Sequence, residues 1–118
     1  MEPKTLEELC KICHTEARKN GWWGPTDTIV EKLCMVHSEV SEAVEDYRMH
    51  KDVYTSQTSA DGKPEGFLTE LADIVIRVFD IVGFAKRSNA FEAILLDKLE
   101  YNRSRTQPSG CAGEVQNV

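Results

Sequence analysis

Glu39 and Glu42 in HSEVSEAVEDY, and Glu70 and Asp73 in LTELADIVIRV, form two carboxylate pairs, each spaced i, i+3 within a helical pattern. Side chains three apart on a helix are neighbours, so each pair points one way. Two such pairs brought together would crowd four negative charges into a small volume, which Coulomb repulsion opposes unless cations share the space. Hard divalent cations prefer oxygen ligands, so the chemistry suited to these residues is Mg²⁺ coordination, with Mn²⁺ as a substitute.

The elements that must position them can be read from the hydrophobic period. A first helix is predicted from about Thr5 to Lys19, with Leu6, Leu9, Cys10, Cys13 and Ala17 on one face and Asn20-Gly21 as its stop. Thr28, with Glu31 three residues on, starts a second helix reaching about His50, whose apolar line is Ile29, Leu33, Val36, Val40, Val44 and Tyr47. Projected at roughly 100° per residue, Glu39, Glu42 and Asp46 flank that line. Residues 51–65 are polar and aperiodic, with Asp61-Gly62 and Pro64, and read as a loop able to act as a lid or specificity element.

A third helix, from about Gly66 to Lys86, is the most apolar segment and is expected at the centre or at a subunit interface. Glu70 and Asp73 occupy its narrow polar stripe, beside Arg77. Ser88 or Asn89 is the expected cap of a fourth helix ending near Arg103. No convincing strand appears, and the fold class is all-α: a four-helix bundle completed by oligomerisation, residues 1–105 forming one domain and 106–118 a loose tail.

Glu and Asp on helices are ordinarily solvated, and spacing alone leaves the pairs open between a solvated rim and a cation site. The fourth helix favours the second. Its inward face begins with Phe91, Ile94 and Leu95 and continues at helical pitch into Lys98, Asn102 and Arg105. Two cations and an amide on an inward line suit a ligand rich in anionic oxygen. The simpler alternative is a set of cations balancing the helix C-terminus.

With these motifs in order, the chain resembles the MazG-like family of all-α nucleoside triphosphate pyrophosphohydrolases over roughly residues 28–105. The resemblance rests on IVEKLCMVHSEVSEAVEDYR (an E-x-x-E helix), ELADIVIRVFD (an E-x-x-D helix) and KLEYNRSR (a closing Lys, Asn and Arg signature). It implies a helical bundle that is a homodimer or homotetramer. It also implies Mg²⁺ bound by Glu39, Glu42, Glu70 and Asp73, and hydrolysis of a nucleoside triphosphate to monophosphate and pyrophosphate, with Lys98, Asn102 and Arg105 on the phosphates. Members often carry a further Glu just before the first motif Glu, where this chain has Ser38. Glu39 is then the candidate base.

Trp22 and Trp23 are candidates to stack on a base, or else they cover the open end of the bundle. Cys10 and Cys13 form a C-x-x-C inside a helix and read as buried small hydrophobes rather than a zinc or redox pair. A net charge of −6 with no polybasic stripe argues against polymeric DNA or RNA as a partner. No apolar run approaches the roughly 20 residues that span a bilayer, and a cytoplasmic location is expected. The competing functional class is a non-enzymatic helical interaction module, with a nucleotide-binding sensor of little turnover between the two.

Overall fold

The computed structural model describes residues 1–105, so the expected tail lies outside the described residues. Four helices, α1 (Leu6–Lys19), α2 (Ile29–His50), α3 (Phe67–Phe84) and α4 (Ser88–Arg103), account for most of the chain. Two short strands, β1 (Gln57–Thr58) and β2 (Pro64–Glu65), lie between α2 and α3. The helix ends follow local chemistry. Thr5 and Glu8 close a reciprocal capping box on α1, and Thr28 Oγ1 accepts the Glu31 N–H at the start of α2. Past α1, Gly21 turns left-handed at φ 75° and the Trp22 N–H returns to the Ala17 carbonyl, so the chain stops where Asn20-Gly21 signals it. One cap differs from expectation. Arg87 is the N-cap of α4, Ser88 is already helical and buried, and no side chain caps that end.

α3 is the central helix, packed by α1 on one side and α2 on the other, while α4 packs on α1 and on α3. Tyr47 meets Phe67 and Glu39 meets Arg77, so α2 and α3 run antiparallel. The α1–α3 contact is close because Gly83 has no side chain: a Cβ there would lie 2.5 Å from His14 Cβ and 2.7 Å from the Cys10 carbonyl oxygen. Since backbone cannot yield as a flexible side chain does, Gly83→Ala is expected to cost about 1–3 kcal/mol, checked by the urea midpoint at fixed protein concentration.

The segment expected to be a plain loop is a pinned hairpin. Gln57 pairs with Glu65 and Thr58 with Pro64. Asp52 accepts the backbone N–H groups of Tyr54 and Thr55, Val53 is buried, and the Lys63 N–H is held by Ser59 Oγ. Gly66, at φ 126°, joins the hairpin to α3, and a Cβ there would meet the Thr55 carbonyl oxygen at 2.6 Å.

The inward face of α2 also departs from the sequence reading. Lys32, Glu39 and Ala43 are its buried residues, with Val36 and Asp46 half-buried, whereas Leu33 and Val44 on the expected apolar line are each 50% exposed. Glu39 therefore sits in the α2–α3 seam, while Tyr47 of the apolar line still packs on Phe67 of α3. The inward line expected for α4 is likewise open: Phe91 is half-buried, but Ile94 is 54% exposed and Leu95, Lys98, Asn102 and Arg105 are exposed as well. No described helix is long and apolar enough to cross a membrane.

Candidate metal centre between two helices

α2 carries Glu39 into the α2–α3 seam, where it meets the polar stripe of α3. One oxygen from each of Glu39, Glu70 and Asp73 can be chosen so that all three lie within 4.8 Å of one another. This is the one such group of potential metal ligands found among the described residues. Glu39 is 9% exposed, and Glu70 and Asp73 are half-buried. Glu42 is exposed at the margin, and its charge, with those of Asp73, Asp46 and Glu39, bears on Glu70.

Burial first, and then these neighbouring carboxylates, push the Glu70 carboxyl above its ordinary range. Asp73 is raised by burial and by Glu39, against the opposing pull of Arg77 and Lys63. Glu70 Oε2 is fully buried and has no hydrogen-bond partner. A carboxylate oxygen withdrawn from water without a donor is costly unless something else satisfies it.

One cation already stands in the seam. Arg77, one turn after Asp73, donates from Nε to Glu39 Oε1 at 3.2 Å, and its guanidinium lies 4.2 Å from the centre of the Trp22 ring. Stacking on one face and pairing along one edge fix the guanidinium. Arg77 thus neutralises one carboxylate and leaves Glu39 Oε2 for another partner.

Farther along the same stripe, Asp80 is 2% exposed and receives His14 Nδ1 at 2.8 Å and Trp23 Nε1 at 2.9 Å. The Trp23 ring stacks on Phe84, with centroids 4.2 Å apart, and Lys32 Nζ lies 4.6 Å from the Trp23 ring centre. Lys32 also binds the Trp22 carbonyl and Asp27, tying the 22–27 segment to α2. The two tryptophans therefore differ. Trp23 is held between α1 and α3 with one face covered by Phe84, and Trp22 lies against the guanidinium beside the acidic cluster.

Lys98, Asn102 and Arg105 are not gathered here. Among the described residues α4 does not touch α2, and Lys98 and Arg105 both lie over the Tyr101 ring of their own segment. Cys10 is buried and Cys13 half-buried, and burial raises both thiols, which disfavours the thiolate that metal binding or redox chemistry needs. Cys111 lies outside the described residues.

Sequence reasoning noted Asp46 and Arg77 without giving them a part in the site, and it passed over Lys63. A cavity of about 400 Å³ adjoins the cluster, sharing Glu70 with it, and is lined also by Asp46, His50 and Lys63. The signal for Asp46 was its helical step from Glu39 and Glu42. Lys63 carried none, because its approach depends on the hairpin.

A hard oxygen-donor set, a buried oxygen without a partner, and two carboxyls raised by burial and by neighbouring carboxylates fit a divalent cation. In comparisons with known proteins, no family model, no curated protein and no solved structure matches the chain.

Proposed function

We propose that the protein is a Mg²⁺-dependent nucleoside triphosphate pyrophosphohydrolase of the MazG-like kind, releasing a nucleoside monophosphate and pyrophosphate. The observation that carries this reading is the convergence of Glu39, Glu70 and Asp73, with Glu70 Oε2 buried and unpartnered. The ordered E-x-x-E, E-x-x-D and Lys-Asn-Arg motifs supply the reaction class.

Glu39, Glu70 and Asp73, with Glu42 from the margin, would hold the ion. Bound there, Mg²⁺ supplies Lewis-acid polarisation of phosphoryl oxygens and a more acidic water. Glu39 would take the proton of the attacking water as the new oxygen–phosphorus bond forms at the α-phosphorus. The α–β bridging bond breaks, and its electron pair leaves with pyrophosphate. Arg77 holds Glu39 by its other oxygen and keeps a fixed positive charge beside the reaction. The Trp22 face is the candidate surface for the base.

Self-assembly belongs to the same reading. A mostly apolar groove of about 380 Å³ between α2 and α3, lined by Val40, Val44, Tyr47, Phe67, Leu71 and neighbours, lies open in the protomer. Leu96 and Leu99 of α4 are exposed as well. Contiguous exposed apolar surface is covered in stable proteins, here by further copies in a homodimer or homotetramer, which would also bring Lys98, Asn102 and Arg105 of one copy toward another's carboxylates. A purely non-enzymatic interaction module would use these apolar faces but leaves the buried acidic seam without a role.

The test is a panel of ribo- and deoxyribonucleoside triphosphates incubated with and without Mg²⁺. Pyrophosphate and monophosphate in equal amounts are expected, only with the metal. Orthophosphate as the first product, or no turnover of any nucleotide, would contradict the reading.

A further inference from the structure

The cavity beside the acidic cluster is lined by the carboxylates of Asp46, Asp52, Glu65 and Glu70 together with Lys63 and His50. Glu70 belongs to both cluster and cavity, so the cavity reaches one of the candidate ligands of the ion. Lys63 and His50 are the cationic or potentially cationic side chains on its lining. Of the acidic residues there, Asp52 is committed to the backbone N–H groups of Tyr54 and Thr55.

Lys63 Nζ has no ion pair or hydrogen bond with any described residue, although carboxylates are near enough for its charge to favour ionised Asp73. Its backbone is held at the hairpin turn: the Ser59 N–H donates to the Lys63 carbonyl, and the Lys63 N–H is bound by Ser59 Oγ. A fixed backbone, a free ammonium and an adjacent metal-type carboxylate cluster are what a phosphate tail needs.

On the pyrophosphohydrolase reading above, we propose that Lys63, assisted by His50, grips the terminal phosphates of the substrate in this cavity, making the hairpin the element that selects triphosphates over monophosphates. The pyrophosphate half of the substrate lies over Glu70 and Lys63, and the nucleoside half extends toward Trp22. Lys63 is a substrate-contacting residue, distinct from the ligands of the ion.

The experiment measures magnesium pyrophosphate binding by calorimetry for wild type, Lys63→Met and Lys63→Arg, with Mn²⁺ binding followed in parallel by electron paramagnetic resonance. A charge-assisted hydrogen bond is worth about 1.5–3 kcal/mol, so Lys63→Met is expected to weaken pyrophosphate by roughly 10–100-fold, with Lys63→Arg recovering most of it. Mn²⁺ binding and nucleoside monophosphate affinity should stay unchanged. Equal pyrophosphate affinity in wild type and Lys63→Met overturns the inference, as does an equal loss of monophosphate affinity. Failure of the wild type to hydrolyse any triphosphate would instead strike the proposed reaction, because the pyrophosphate measurement still decides the role of Lys63.

Discussion

Glu70→Gln is expected to eliminate Mg²⁺-dependent turnover and, in metal-free protein, to raise thermal stability. Losing an outer-shell partner typically costs a metal site about 10–100-fold. Removing a direct ligand should therefore cost at least about 100-fold in metal affinity or activity. The stability gain has a separate cause. Glu70 is half-buried among Asp73, Glu42, Asp46 and Glu39, and a neutral amide of the same shape ends that repulsion. Thermal melts in chelator, compared with melts in Mg²⁺, should show wild type gaining from the metal and Glu70→Gln gaining little. A solvated acidic rim would give neither effect.

The same carboxyls set an unusual pH dependence. Glu70 and Asp73 are raised in the folded protein, so between their ordinary values (4.5 for Glu70, 3.8 for Asp73) and the raised ones the native state binds more protons than the unfolded chain. Stability then falls as pH rises through that window. In chelator, the stability difference between wild type and the Glu70→Gln, Asp73→Asn double variant should widen in the variant's favour as pH rises through the window and close on acidification. Mg²⁺ should cancel the difference at neutral pH. Taking the difference is essential, because Asp27, Asp52 and Asp61, each lowered by backbone or side-chain hydrogen bonds, act in the opposite direction in both proteins.

Asp80→Ala is the substitution expected to damage folding most. Its carboxylate is buried and holds the donors of His14 from α1 and Trp23 from the α1–α2 connection. Truncation strands two part-buried N–H groups at about 1–3 kcal/mol each, for a loss of roughly 2–6 kcal/mol in urea unfolding at fixed protein concentration. Asp80→Asn, which keeps an acceptor but turns an amide donor toward one of the two partners, should lose less. Because Asp80 is not among the residues that gather at the acidic cluster, Mn²⁺ affinity at a temperature where the variant is folded should stay near wild type.

The helices were legible because their signals are local. Thr5, Thr28 and Asn20-Gly21 act on the residues beside them, and the apolar period of α3 foretold a central helix. The meeting of Glu39 with Glu70 and Asp73 was legible from matched i, i+3 pairs on consecutive helices. The exposure of the apolar line of α2 was not. Period alone puts Leu33, Val40 and Val44 inside, whereas the buried residues of this helix are Lys32, Glu39 and Ala43. The course of α4 was hidden as well, since its apolar residues do not say which element they pack against. The bond from Arg77 to Glu39 and the approach of Lys63 depend on side-chain reach and hairpin register across long sequence separations, which no local pattern encodes.

Titration of the metal-free protein with Mn²⁺, followed by electron paramagnetic resonance, tests the cation site most directly. Bound Mn²⁺ that Mg²⁺ displaces, and that Asp73→Asn and Glu70→Gln each abolish, is the expected result. Mn²⁺ that stays free in solution with the wild-type protein, or binds equally well after both substitutions, would contradict a cation shared by Glu39, Glu70 and Asp73.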